Sequence, residues 1–385
     1  MAFAHLHVHT EYSLLDGSNK IYRVCQPDQG TGDDSRGVTD HGVMYGVIDF
    51  YRAAKKAGIN PIPGCEVYVA PGSRFDREQV KGEDRYYHLV LLAENNVGYA
   101  NLMKIVSKGF VDGYYYRPRV DMEVLETYHE GIIALSACLA GEVQRYLTRG
   151  MYEEAKAIAL KYETCFGKGN FFLELQDHGI PEQAQVNQQL LRMHQELGID
   201  LVATNDVHYT YEKDAEAHDI LLCLQTGKKL SDENRMRYEG GQYFVKSEEE
   251  MKALFPYALD AIENTQKIAD RCHVEIEFGV TKLPKFDVPD GYTSWEYLNK
   301  LCYEGLDERY SPKRVQELKP RLEYELSVIQ KMGYVDYFLI VWDFIHFARE
   351  NDIMVGPGRG SAAGSLVFLY TGNHQAGSDP LQSAL

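Results

Sequence analysis

Basic residues are scarce: 40 Lys and Arg stand against 57 Asp and Glu in 385 residues, a formal net charge of −17. Non-specific affinity for duplex DNA comes from Lys and Arg neutralising phosphates, so this balance excludes a generic duplex grip and leaves any nucleic-acid role local or metal-mediated. Long apolar runs are missing too. None reaches the ~18 residues that a membrane-spanning helix needs, and the opening MAFAHLHVHTEYSLLDG lacks the basic-then-apolar order of a secretory signal. These two absences imply a soluble cytoplasmic protein. Cysteine pairs are absent as well: Cys25, Cys65, Cys138, Cys165, Cys223, Cys272 and Cys302 are odd in number, scattered, and never spaced as CxxC. A chain of this size does not depend on disulfides, so free thiols are expected, and any of them can serve as a ligand. With 44% apolar residues the chain is neither disordered nor collagenous, and it is long enough for two or three domains.

What is present is a strand-then-helix rhythm. Strand candidates at residues 2–9, 61–69, 88–93, 131–138, 170–176 and 200–207 are separated by amphipathic stretches such as 151–164 and 182–197. A further strand is expected just before Thr39-Asp40-His41. Seven βα units predict an α/β fold, a parallel barrel whose chemistry collects at the C-terminal ends of its strands. After Asp219 the pattern becomes helical, most clearly at 246–255 and 258–271. Residues 281–293, with Pro284 and Pro289, read as a linker. A first domain over 1–280 is thus followed by a second over 294–385, built of long helices and a glycine-rich turn. From Lys285 onward there are 10 basic and 14 acidic residues, which leaves 30 and 43 before it. The acidic excess therefore sits mainly in the first domain.

Along residues 2–9, strand alternation places Phe3, His5, His7 and His9 on one side and Ala4, Leu6 and Val8 on the other. One such histidine is ordinarily a polar surface residue. The pattern gains meaning by recurrence: Asp40 and His41, Glu66, His88, Cys138, and Asp206 with His208 all fall at or near the ends of strand candidates. A mixed His/Asp/Glu set with one thiolate suits zinc or manganese, and more than four ligands implies more than one ion. Such a cluster can hold a phosphate ester between an activated water and a stabilised leaving oxygen, so the residues point to metal-assisted phosphoester hydrolysis.

The segments HLHVHTEYSLLDG, TDHGVMYGVIDFYRAAKKAGI, GCEVYVAPGSR, YYRPRVD and SACLAGE resemble the polymerase and histidinol phosphatase (PHP) domain that opens the alpha subunit of bacterial replicative DNA polymerase III. The resemblance covers nearly all of the chain. It implies a PHP-type distorted (β/α)7 barrel that holds up to three Zn2+ or Mn2+ ions. Carried over residue by residue, the implied ligands are His7, His9, Asp16, His41, Glu66, His88, Cys138, Asp206 and His208, with catalysis resting on His7, His9, Asp206 and His208. Asp40 is expected to support His41, and His5 to be structural. The implied activity is a phosphoesterase, in the form of a 3′→5′ exonuclease. The implied partners are DNA and deoxynucleotides, reached through a longer polymerase, and a proofreading exonuclease subunit on the barrel. No membrane is involved.

The stretch MGYVDYFLIVWDFIHFARENDIMVGPGRGSAAGSLV resembles the start of the same family's palm domain, a nucleotidyltransferase that uses Mg2+. Gly356, Gly358 and Gly360 allow close backbone approach, and the N–H groups opening a helix at 361–368 can hold a triphosphate. The resemblance implies that Gly358, Arg359, Gly360 and Ser361 meet the nucleotide phosphates. The aspartates that hold the polymerising metals lie further on in the family, so this chain is not expected to polymerise. Two other functions fit the ligand set: a free-standing phosphatase of the histidinol-phosphatase type, and a non-catalytic, metal-stabilised platform for a proofreading subunit. The first of these leaves YYRPRVD and GPGRGSAAGS unexplained.

Two stretches depart from the pattern. Residues 26–37 (QPDQGTGDDSRG) stand where an amphipathic helix should lead into an apolar strand. Back-translated and read one nucleotide later, 27–34 permits Arg-Ile-Lys-Glu-Leu-Gly-Met, a family-like helix end. The stretch 371–376, read the same way, permits Leu-Gly-Ile-Thr-Arg. The shared offset suggests compensated frameshifts in 26–37 and 371–378, and an unambiguous in-frame read of the source DNA would refute this.

Overall fold

A computed structural model describes residues 3–26, 34–78, 84–280, 282–356 and 364–370. Two compact units emerge, Met1–Ile276 and Glu277–Leu385. The first is a mixed α/β unit built on a curled sheet of strands β1 (Ser35–Val38), β2 (Asn60–Val69), β3 (Tyr87–Ala93), β4 (Tyr114–Tyr115), β5 (Arg117–Val120), β6 (Ile132–Leu135), β7 (Phe171–Leu175) and β8 (Leu201–Ala203). Their order is β4-β5-β2-β3-β6-β7-β8, with β1 also paired to β2. Isolated parallel bridges join His5 to Arg36 and Val8 to Val207. They lay residues 3–10 beside both β1 and the chain just past β8, in a distorted barrel.

Two expectations are corrected. The barrel is not wholly parallel, because β3 runs antiparallel to both β2 and β6. A parallel neighbour needs a crossover of a dozen or more residues, usually through a helix. Among the described residues the connection from β2 to β3 has no helix, so the chain turns back instead. Residues 2–9 are likewise not one regular strand. The described part of that segment makes single bridges and bends at His7.

Side chains alternate between two cores. Leu89, Leu91 and Ala93 of β3, Ile132 and Ala134 of β6, and Phe171 and Leu173 of β7 pack outward with helix residues such as Leu102, Ile105, Tyr162 and Leu190. Val90, Leu92, Ile133, Leu135, Phe172 and Val202 point the other way and form an inner cluster with Ala4, Leu6 and Ile62. The period of two is what a sheet covered on both faces requires. Helices flank the sheet at Val47–Ala57, Asn96–Val111, Tyr152–Phe166, Pro181–Leu197, Ala215–Thr226, Glu248–Leu254 and Leu259–Ala269. Their ends follow local chemistry. Asn95 caps Asn96–Val111 by accepting from the N–H groups of Val97 and Gly98, proline opens Pro181–Leu197, and Ser247 and Glu250 form a capping box.

The second unit is helical: Ser294–Arg309, Pro312–Lys331, Val335–Glu350 and Leu366–Tyr370 pack around Leu298, Cys302, Leu306, Leu322, Leu326, Leu339 and Leu366. Glu325 Oε2 accepts from Leu366 N at 2.8 Å and Val367 N at 3.2 Å, which ties down the short last helix. Gly358, Arg359, Gly360 and Ser361 lie outside the described residues, as do 27–33 and 371–378. The strand expected ahead of Thr39 does form, as Ser35–Val38 paired in parallel with Asn60–Pro63. All seven cysteines are free, and no helix among the described residues is long and apolar enough to cross a membrane.

Candidate metal centre

The inner face of the sheet changes character along its strands. Beyond the apolar cluster, β2 presents Glu66, β7 presents Glu174, and the chain leaving β8 presents Asp206. His88 opens β3 rather than closing it, and the antiparallel course of that strand is what brings it to the same end as Glu66; the two pair at 2.9 Å, Nδ1 to Oε1. The bend at His7 shifts the alternation of the first segment. Ala4 and Leu6 join the inner apolar cluster, while His7 and His9 turn to the polar end. His5 is left facing elsewhere, its Nε2 2.8 Å from the carbonyl of Lys246. Burial and the neighbouring Arg36 push its pKa down to about 3, as befits a neutral structural imidazole.

All nine residues named as ligands converge. His7 Nε2 and His9 Nε2 lie 3.2 Å apart, and each is 3.2 Å from Asp206 Oδ1. Glu66 reaches His9 Nε2 at 3.3 Å and His41 Nδ1 at 2.8 Å. His41 Nε2 faces Asp16 Oδ2 at 3.1 Å, and the His9 ring stacks between His41 and His208 with centroids 4.0 and 4.3 Å away. Cys138 Sγ stands at the edge, 3.8 Å from His88 Nδ1 and 3.9 Å from Glu66 Oε1. Among the described residues three sets have ligand atoms mutually within 4.8 Å: His9/His41/His208, His7/His9/Glu66 and His41/Glu66/His88.

The surrounding hydrogen bonds assign the tautomers. His7 Nδ1 donates to Glu174 Oε1 at 2.7 Å, His9 Nδ1 to Ser13 Oγ at 3.0 Å, and His208 Nδ1 to the Asp206 carbonyl at 2.7 Å. Each turns its Nε2 toward the cluster, the arrangement that metal-binding histidines use. Asp40 anchors this frame, accepting from Thr10 N, Thr10 Oγ1 and Ser13 Oγ at 2.6, 2.8 and 2.7 Å, so it supports His9 through Ser13. Glu174, Ser13 and Tyr238 are absent from the sequence-derived set. Tyr238 lies 3.2 Å from both Asp16 Oδ1 and His208 Nε2. Glu174 had a signal, a lone carboxylate in the apolar strand FFLEL, which is costly unless partnered; Tyr238 had none.

Electrostatics and geometry both fit a cation. Glu66 Oε2 lies 2.8 Å from His41 Nδ1 and 3.3 Å from His9 Nε2, and Asp206 Oδ1 lies 3.2 Å from the Nε2 atoms of both His7 and His9. Buried nitrogens and carboxylate oxygens crowded at such distances need positive charge among them, carried by protons on the imidazoles or by bound cations. Burial would keep His7 neutral, but Asp206, Glu174 and Glu66 outweigh it and raise its pKa well above the ordinary value. Burial is likewise overcome at His41, which Glu66 and Asp16 raise to about 10. Burial and nearby His9 lower His208 to about 3. Glu66, Asp206 and Asp16 are held well below the usual carboxylate range, because the imidazoles around them overcome the effect of burial.

Comparison with known proteins agrees with this arrangement. Residues 5–178 match the PHP domain, and residues 296–385 match the bacterial DNA polymerase III alpha NTPase domain. The DNA polymerase III subunit alpha of Treponema pallidum is 47% identical over 368 residues, 95% of this chain and 31% of that protein. That of Borreliella burgdorferi is 47% identical over 367 residues, 95% of this chain and 32% of its own. The chain belongs to the DNA polymerase III alpha family. It spans about a third of the length of these curated relatives. A solved two-domain protein from Bacteroides vulgatus, described as containing a predicted PHP-like metal-dependent phosphoesterase, overlaps 59% of this chain and 56% of its own at 15% identity and a TM-score of 0.35.

Beside the cluster lies a cavity of about 210 Å3, shared by Asp16 and His41 with Tyr12, Tyr45, Tyr68 and Arg117. A reacting group held there is next to the ligand atoms and open to solvent. The cluster therefore has room for a substrate on one side and a closed apolar layer on the other.

Proposed function

We propose that this chain is part of a DNA polymerase III alpha-type replicative polymerase, and that its PHP barrel, over residues 1–280, is a multi-metal phosphoesterase acting on the 3′ end of DNA as an exonuclease. The linker at 281–293 and the palm segment from 294 complete the assignment, with the longer polymerase supplying contact with DNA and deoxynucleotides. A proofreading subunit docked on the barrel belongs to the same reading. The observation that carries the metal site is the convergence of ligand atoms from His7, His9, His41, Glu66, His88 and His208 in three sets, each mutually within 4.8 Å.

Up to three Zn2+ or Mn2+ ions are held by His7, His9, Asp16, His41, Glu66, His88, Cys138, Asp206 and His208. Bound divalent ions supply Lewis acidity and lower the pKa of water. The chain's own contribution is positional. Glu174 and Ser13 fix the tautomers of His7 and His9, Asp206 spans both, and Tyr238 holds Asp16 against His208. The inner apolar layer below shuts water out of the other end.

The test is metal content of the purified protein together with degradation of a 3′-labelled primer, with and without added Mn2+ or Zn2+. Bound metal and metal-dependent release of nucleotides are expected. Folded protein that binds metal yet degrades no primer would leave only the platform function, and folded protein that binds none would refute the metal site.

A further inference from the structure

Among the described residues of the barrel unit, four that are not glycine adopt a left-handed backbone: Leu15, Tyr116, Ala137 and Asp206, with φ of 61°, 62°, 66° and 44°. Such residues carry conformational strain and cluster where a side chain must be held in one place for function. Three of them serve the metal cluster. Leu15 precedes Asp16, Ala137 precedes Cys138, and Asp206 is itself a cluster residue. The fourth, Tyr116, precedes Arg117, for which the metal centre has no use.

Arg117 is the one Lys or Arg lining the cavity among the described residues. Its guanidinium carbon stands 5.5 Å from the centroid of Tyr68, and the same ring lies 6.2 Å from His41 and 5.2 Å from His88. Arg117 is thus a single ring away from the metal cluster. Gly42 of the TDHG motif makes that spacing available. Its φ is +65°, and a Cβ there would fall 2.8 Å from Tyr68 Cε2 and 3.0 Å from Pro118 Cγ. Around the cavity Tyr45, Tyr114 and Tyr116 are 59, 56 and 60% exposed. Large rings left in water beside a concave site are surfaces for something flat to stack upon. The cluster itself, with Asp16, Glu66 and Asp206, is acidic, so a phosphate approaching it needs a fixed cation next to the ions, and a planar guanidinium matches phosphate oxygens in pairs.

We propose that this cavity is the nucleotide subsite of the metal centre: Arg117 takes the phosphate of one unpaired terminal nucleotide, and the tyrosines around it stack the base. The inference rests on the phosphoesterase reading of the cluster and adds its substrate preference. A paired end cannot place its base among these rings without first unpairing, so single strands and frayed mismatched ends are favoured over matched duplex ends.

Calorimetric titration of thymidine 5′-monophosphate, with inorganic phosphate as the comparison ligand, tests this on the Mn2+-loaded 385-residue chain, with metal content measured in every sample. Arg117→Gln is expected to weaken both ligands by about tenfold or more, with metal content unchanged, and Arg117→Lys to recover part of that loss. Tyr45→Ala, at an exposed and unstrained position, is expected to weaken the nucleotide about fivefold or more while leaving phosphate alone. Arg117→Gln affinity within twofold of the parent overturns the phosphate assignment. Equal loss of both ligands in Tyr45→Ala, or phosphate binding as tightly as the nucleotide in the parent, overturns the stacking assignment. Parent protein that takes up metal but binds no nucleotide overturns this inference and leaves the metal centre standing, whereas protein that takes up no metal overturns both.

Discussion

The two layers inside the barrel come from the same strands and differ by only two to four residues. Ile62, Val90, Leu92, Phe172 and Val202 make one layer, and Glu66, His88, Glu174 and Asp206 make the next. The apolar layer satisfies every local preference of a buried strand. The polar layer violates several of them, with buried carboxylates, crowded imidazoles and left-handed backbone at Asp206. Consistency marks the part that holds the fold together, and departure from it marks the part that does chemistry.

If the layers are separable in this way, substitutions should divide cleanly between function and stability. The largest effect is expected in the polar layer: His9→Ala or Asp206→Asn should abolish metal binding and any nuclease activity, measured by elemental analysis and primer degradation. Asparagine tolerates the left-handed backbone at 206, so the Asp206→Asn chain should still fold in EDTA, and full activity in either variant counts against the cluster. In the apolar layer the pattern should reverse. Leu135→Ala is expected to cost about 2–5 kcal/mol in urea unfolding, with metal per folded chain unchanged. A coupled loss of metal there would mean that the layers are not independent.

A smaller effect tests the frame between them. Glu174→Gln weakens the partner of His7 Nδ1, and metal affinity should fall about 10–100-fold while the fold persists; an unchanged affinity removes Glu174 from the site. The smallest effect is in pH. His41 holds its proton to about pH 10 in the folded chain against 6.5 for an ordinary histidine, and His7 is shifted the same way. Those protons must leave when a metal binds, so apparent metal affinity should rise from pH 6 to 8. In metal-free protein the same shift stabilises the fold fully below about pH 6.5 and is lost as pH climbs toward 10, which unfolding in EDTA across that range would register.

Much of the site was legible in the linear order of residues. HLHVH, TDHG, GCEVYV and TNDVHY each put ligand-type side chains at the end of an apolar run, and each of those segments reaches the cluster. The supporting frame was less so. His7 and Glu174 are 167 residues apart and Asp16 and Tyr238 are 222 apart, distances over which no periodic pattern extends. Strict alternation also misassigned His5, because one bend at His7 puts the residues before it out of phase with those after it. The ring-lined cavity joins segments around Tyr45, Tyr68, Tyr116 and Gln225, and no local pattern announces that they meet.

What the sequence by itself determined was the inventory: which strands are buried, which residue types can bind metal, and which family the chain resembles. These come from side-chain chemistry and from periods of two and 3.6 residues, both local properties. Only the tertiary structure decided which way β3 runs, which histidine of the first segment is left out, and which carboxylate orients His7. Those outcomes depend on where distant segments meet, and contacts at long separation are settled by how the whole sheet curls rather than by any stretch within it.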